Sequence, residues 1–267
     1  MTQAERRLYL IRSLMKERAE YRDLRVPEDA QNQRRLLRSL MNVRAPGAAD
    51  EAFLSVQDAY LRQELADEGI TGLDDLKPVS GDLYLWQGDI TRLKCGAIVN
   101  AANSGMTGCY IPCHACIDNC IHTYAGVQLR QDCAALMAEQ GHEEPTGGAK
   151  LTKAYNLPCD YVLHTVGPIV SGRVTREDER LLASCYRACL TLAAQNGVES
   201  VAFCCISTGV FHFPNERAAE IAVETVRRYK AETGSGMKVI FNVFKDVDKT
   251  IYERLLGADH AAAEGDR

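Results

Sequence analysis

The sequence has no apolar run approaching the ~20 residues that a membrane-spanning helix needs. Its first twenty residues, MTQAERRLYLIRSLMKERAE, scatter charges where a secretory signal would need an apolar core. Both absences predict a cytoplasmic protein with no membrane partner. No cysteine precedes Cys95, although the chain holds eleven. An odd number of thiols excludes complete intrachain pairing, and a reducing compartment excludes a disulfide framework. Basic residues are not in excess: 31 Lys and Arg stand against 36 Asp and Glu, a net charge of −5. That balance argues against nonspecific binding to nucleic acid. Two phosphate motifs are also missing, the Gly-Lys-Ser/Thr of a Walker loop and G-x-G-x-x-G. There is no internal repeat and no low-complexity linker. The chain does have 46% hydrophobic residues over 267 positions, enough for a real core and one large domain, or a domain with an extension.

Residues 1–78 read as helices. Leu8, Ile11 and Met15 recur at helical spacing, with Leu10 and Leu14 on the same stripe. Pro27 opens a second segment carrying Leu36, Leu37, Leu40 and Met41, and Pro46 follows its end. A third runs from about Ala49 to Glu68 and stops at Gly69. Arginines on these helices, among them Arg6, Arg7, Arg12, Arg18, Arg34, Arg35 and Arg38, are expected to face solvent. From Asp82 the texture changes. LYLWQG, AIVNAAN, YVLHTVG, SVAFCCIS and KVIFNVF read as short buried strands. Between and after them lie helical stretches near 124–139, 177–195, 215–232 and 247–256. Buried strands alternating with amphipathic helices predict an α/β/α sandwich with a mixed, largely parallel sheet. The expected organisation is a helical extension over 1–78, an α/β domain over 79–258 and a flexible tail over 259–267.

In such folds ligands bind beyond the carboxyl ends of the strands, and the informative segments follow strands. STGVFHFPN, Ser207 to Asn215, offers hydroxyls, close-approaching amides and a helix start, which together suit phosphate. GDIT places Asp89 just past a strand, where it either caps a turn or accepts from a base amine. The window GCYIPCHACIDNCIH is the most specific. Thiolates and imidazoles are zinc ligands, and three of them with an open fourth position make a catalytic site. Spacing alone leaves Cys109, Cys113, Cys116, Cys120, His114 and His122 in competition. The other seven cysteines fit as small buried hydrophobes.

GDIT, IVNAAN, IDNCIHTYAG, PTGGAKLTKAYNLPCDYVLHTVGP and CISTGVFHFPNERAAEIAVETV succeed one another in an order that resembles a macrodomain, the ADP-ribose-binding α/β/α fold, over about residues 80–256. The cysteine window and the helical extension further resemble its zinc-dependent branch, the microbial protein-ADP-ribose hydrolases. The resemblance implies that Asp89 accepts from the adenine amino group, with the Ile90 N–H beside it. It places Asn103 near the distal ribose and makes Asn100 a structural turn residue. Ile117, Asp118 and Asn119 match the end of the ligand loop. Ser207, Thr208, Gly209, Val210 and Phe211 match the diphosphate loop, with Phe211 flanking the distal ribose. His212 stands where many macrodomains have glycine, and Phe244 is placed to stack on adenine. The branch pattern of Cys, His five later and Cys two later selects Cys109, His114 and Cys116 as zinc ligands. Cys113, Cys120 and His122 are left as packing residues.

The resemblance implies a zinc-dependent hydrolase removing mono-ADP-ribose from protein side chains, ester-linked Asp or Glu being the favoured linkage. Asn103 and Asp118 are its catalytic residues, with Asp118 as general base or water-orienting group. Expected partners are ADP-ribose and a mono-ADP-ribosylated protein, a lipoylated carrier being one candidate. Three alternatives are a non-catalytic ADP-ribose reader with structural zinc, a zinc-finger-like module and a thiol redox role for Cys113 and Cys116. The window has neither Lys nor Arg, which argues against a nucleic-acid finger.

Overall fold

The computed structural model describes the backbone through Glu264 and side chains through Gly257. Three helices come first. α1 (Gln3–Lys16) begins in a capping box between Thr2 and Glu5. α2 (Ala30–Val43) is capped by Asp29, and α3 (Glu51–Glu68) is capped by Asp50 and ends at Gly69. Leu10, Ile11 and Leu14 of α1 pack against Leu37, Leu40 and Met41 of α2 and against Phe53, Tyr60 and Leu61 of α3. Each such side chain contributes about 1.5–3 kcal/mol by leaving water. Two of the arginines expected in solvent are not there. Arg7 is buried with its guanidinium on Gln33 Oε1, and Arg38 is turned into the protein.

A short parallel ladder, β1 (Thr71–Gly72) with β4 (Leu93–Lys94), ties the end of this bundle to the main domain. There, β2 (Pro78–Ser80), β3 (Leu83–Gln87), β5 (Ala97–Ala102), β6 (Ala149–Lys153), β7 (Tyr161–Val166), β8 (Ser200–Phe203) and β9 (Lys238–Val243) form one sheet in the order β2-β3-β9-β8-β5-β7-β6. The five inner strands run parallel and both edges are antiparallel. All five strands read from the sequence are the inner, doubly buried ones. β2 and β6 escape the apolar pattern, because AKLTK carries lysines at an exposed edge and PVS is three residues long.

α6 (Arg176–Gln195), α7 (Asn215–Thr233) and α8 (Asp246–Glu264) pack side by side as one layer. α4 (Ile117–Ala125) and α5 (Val127–Gln140) form the other, and α2 lies against α4. The single helix expected over 124–139 is therefore two. The break is Gly126, held at φ 101°. That φ strains any residue with a side chain, and a Cβ there would also crowd the Gln57 amide of α3 at 2.6 Å. α8 continues through the first part of the expected tail, and residues 265–267 lie outside the described residues.

Candidate active site

Loops at the carboxyl ends of β3, β5, β7 and β8 meet above the sheet, where parallel α/β folds bind ligands. The deepest element is Asn100. It lies inside β5, fully buried, and is not the turn residue expected. Its Nδ2 donates to Asp118 Oδ1 at 2.8 Å and also contacts His164 Nδ1 on β7 at 3.1 Å. Since the carboxylate requires an N–H there, His164 Nδ1 is the acceptor and its proton sits on Nε2, against Thr152 Oγ1 at 2.9 Å. Burial holds His164 neutral, with its pKa pushed down to about 3.

Asp118 sits in the first turn of α4. Its second oxygen accepts from Asn103 Nδ2 at 3.2 Å, and His122 Nε2 lies 3.6 Å from the first. Burial raises its pKa to about 6, opposed by the hydrogen bonds from Asn100 and Asn103 and by the charge of Arg130. Asn103 also accepts from Gly105 N and donates to Gly108 O, which closes the start of the following loop. Asn103 and Asp118, named together from the sequence, are thus in contact.

The loop from Asn103 to Cys116 brings Cys109, His114 and Cys116 together. Their ligand atoms lie within 4.8 Å of one another, with Cys109 Sγ 3.5 Å from His114 Nδ1. That separation is what ligand distances of about 2.0 and 2.3 Å impose around one tetrahedral ion. Cys116 is also the N-cap of α4, and burial pushes its thiol up to about 12. Cys113 is left out. Its Sγ contacts Ser39 Oγ at 3.2 Å and Arg35 O at 3.4 Å on α2. Cys120 meets Arg38. A second group close enough for a metal is His122, Cys133 and His164, all buried. In it His164 is occupied by Asn100 and Thr152, while both ring nitrogens of His122 lack a hydrogen-bond partner.

The extension holds this loop, a role that the sequence alone does not reveal. Asn42 accepts from Cys113 N at 2.9 Å and donates to Thr123 Oγ1 at 2.8 Å. Arg38 donates to His114 O and to Asn119 Oδ1, and Asn119 Nδ2 donates in turn to Cys109 O and Ile111 O. Asn119 therefore braces the loop. From the other side Arg130 donates to the carbonyls of Met41, Asn42 and Arg44 at the end of α2, and lies 4.3 Å from the ring of Tyr110. The only signal for these contacts is the polar face of α2, whose partner a sequence cannot name.

Asp89 follows β3 and accepts from Thr91 N and Oγ1, so it caps the turn that carries Ile90. Ser207 and His212 bracket the second loop at φ 64° and 58°, and the Phe213 N–H closes it onto Ser207 O. Ser207 is buried, Thr208 and Phe211 are half-buried, and Gly209 and Val210 are exposed at the loop tip. A Cβ on Gly167 would meet Ser207 Oγ at 2.1 Å, so the β7 turn needs glycine. Phe244 stands 75% exposed just past β9.

The fold and the paired loops define an α/β/α domain built to take a ligand at the carboxyl ends of its strands, beside a thiol–imidazole cluster. The family model for the Macro domain matches residues 99–222. A protein-ADP-ribose hydrolase of Treponema medium is 61% identical over 260 residues, covering 96% of this chain and all of the relative. One of Staphylococcus aureus (strain Mu50 / ATCC 700699) is 50% identical, covering 94% and 95%. The crystal structure of a Trypanosoma brucei macrodomain in complex with ADP-ribose superposes with a TM-score of 0.64 at 30% identity, over 82% of this chain and 95% of that one. The chain belongs to the macrodomain family, among the protein-ADP-ribose hydrolases.

Proposed function

We propose that this protein hydrolyses the bond between mono-ADP-ribose and a protein side chain, with zinc held by Cys109, His114 and Cys116. The observation that carries this reading is the convergence of those three donors beside the Asn103–Asp118 pair. The relatives' activity supports the reaction, and the ADP-ribose complex of the T. brucei domain supports the ligand. The outer cluster is the better metal site because its sulfurs and imidazole face one another and only Cys116 accepts a further bond, a long one from Asn119 N, whereas both ring nitrogens of His164 are held by neighbours. Zinc bound there would supply a Lewis acid and an acidified water.

The chain's own residues do the rest. Asp89 and Ile90 take the adenine end, and the Ser207–Phe211 loop offers amides to the diphosphate. Held at both ends, the ligand presents its distal ribose to Asn103. Asp118, kept as a hydrogen-bond acceptor by Asn100 and Asn103, orients water or takes its proton. Hydrolysis of an ester adds one water and gives free ADP-ribose and the acceptor's carboxyl group. Asp and Glu esters are the proposed linkage and the cytoplasm the proposed setting. Residues 1–78 serve as an extension that clamps the loop of a domain spanning 79–258.

The test is release of ADP-ribose from an ADP-ribosylated protein, with metal content measured by mass. Cys109→Ser and Cys116→Ser lose the metal, and Cys113→Ser keeps it because its thiol faces α2. Full turnover after verified zinc removal would overturn the metal's role. Tight ADP-ribose binding with no turnover on any linkage would make the protein a reader.

A further inference from the structure

Between α2, α3 and the outer flank of α4 lies a cavity of ≈ 440 Å³, outside the cleft described above. Arg34, Arg35 and Arg38 reach it from α2 and Arg92 from the turn after β3, against Glu64 and Glu68 of α3. Among the described residues only Arg34 of these four has an acidic partner, Glu64 at 3.2 Å. Arg35 makes no ion pair or side-chain hydrogen bond among the described residues. Arg92 donates to the carbonyls of Glu68 and Gly69, and Arg38 to a carbonyl, a neutral amide and a thiol. The Nε of Arg38 is buried without an acceptor. Three guanidinium charges thus meet no carboxylate, on a molecule whose net charge is −5. The walls between them are apolar, from Leu61, Leu65, Leu157 and Tyr124. Cys113 of the cysteine loop also lines the cavity, and Arg38 joins the cavity to that loop through His114 O.

We propose that this groove binds an acidic segment of the polypeptide from which ADP-ribose is removed. The proposal rests on the hydrolase reading for the identity of that polypeptide. A small anion wants donors converging on a point. Here the charges are spread along one turn of a helix and its opposite wall, with apolar side chains in the same lining. That pattern matches carboxylates spaced along a chain whose apolar side chains fill the gaps. The acidic remainder of the surface repels such a segment, so the groove also steers it.

The probe is a short fluorescein-labelled peptide of Glu and Leu, with a Gln and Leu peptide as its neutral control, read by anisotropy on the intact chain. The acidic peptide binds, high salt weakens it, and Arg34→Glu/Arg35→Glu weakens it by about tenfold or more. Free ADP-ribose binds wild type and variant alike, which shows that the variant is folded with its cleft intact. Equal binding of the neutral peptide, or an unchanged variant, overturns the proposal. Displacement of the peptide by equimolar inorganic phosphate also overturns it, in favour of a small-anion site. In turnover, the variant loses kcat/KM on an ADP-ribosylated acidic protein and keeps it on a small ADP-ribosyl ester with no polypeptide. Wild type active on both substrates with the variant unaffected sinks the groove alone. Wild type inactive on both sinks the hydrolase reading and with it the acceptor assignment.

Discussion

The amide nitrogen of Asn100 has two hydrogens, and both are used: one fixes Asp118 and the other fixes the tautomer of His164. Asn100→Ala leaves the carboxylate without its 2.8 Å donor. Turnover should fall by about 10²-fold, the scale of a small misplacement of a reacting group. The ADP-ribose dissociation constant should stay within a few-fold, and a rise in it matching the fall in turnover would make Asn100 merely structural. His164 gives a pH prediction with a definite sign. Its folded pKa of about 3 lies below the unfolded value near 6.5, so the unfolded chain binds the proton first. Its contribution is complete above pH 6.5 and is lost as pH falls, by about 2 kcal/mol at pH 5. His122, also held low by burial, acts in the same direction. Asp118, with its raised pKa of about 6, opposes both between roughly pH 6 and 4. Denaturant midpoints of wild type and His164→Gln at pH 7 and 5 isolate the His164 contribution. An equal pH slope in the two proteins would refute it.

At the scale of elements, α2 and the loop carrying Cys109, His114 and Cys116 act as one unit. Asn42 is 1% exposed and satisfies both the Cys113 amide and Thr123. Asn42→Ala strands those groups and should cost about 1–3 kcal/mol, with metal affinity falling in the same variant. Thermal unfolding and a competitive chelator titration check the two halves. This element also shows where sequence reading stops. The periodicity of Leu37, Leu40 and Met41 makes α2 legible as a helix with an apolar face. Arg38, Ser39 and Asn42 give no sign that their partners lie 74 to 81 residues further on, because a polar helix face looks alike in solvent and against a loop. The inner strands are legible because burial on both sides leaves continuous apolar runs. β6 is not, since an edge strand alternates and carries charge. Spacing alone leaves six candidate ligands, and the three that the family resemblance implies, Cys109, His114 and Cys116, lie together, whereas Asn100 departs from expectation because a buried polar residue within AIVNAA resembles the start of a turn.

Over the whole molecule, charge is unevenly distributed. An excess of acid overall coexists with a local surplus of guanidinium groups between the extension and the domain. No helix among the described residues is long and apolar enough to cross a membrane. The ligand cleft needs no basic patch, since the segments around it offer amides, hydroxyls and a helix start. The arginines are grouped instead in the groove proposed for the acceptor polypeptide. Raising ionic strength should therefore lower kcat/KM for a protein acceptor and leave a small ADP-ribosyl ester nearly unaffected, because charge attraction acts over a Debye length of about 8 Å at physiological salt. Identical salt profiles for the two substrates would contradict this division.

The clamp that Asn42, Arg38 and Arg130 place on the loop has a thermodynamic corollary. Coupling between two sites is reciprocal, so whatever steadies one end of a connection steadies the other by the same free energy. An ion captured by Cys109, His114 and Cys116 would slow amide hydrogen exchange along α2, several side chains away. A partner seated on α2 would in turn tighten the grip on the ion. With such an ion bound, the three N-terminal helices would belong to its binding energy as much as to the protein's shape.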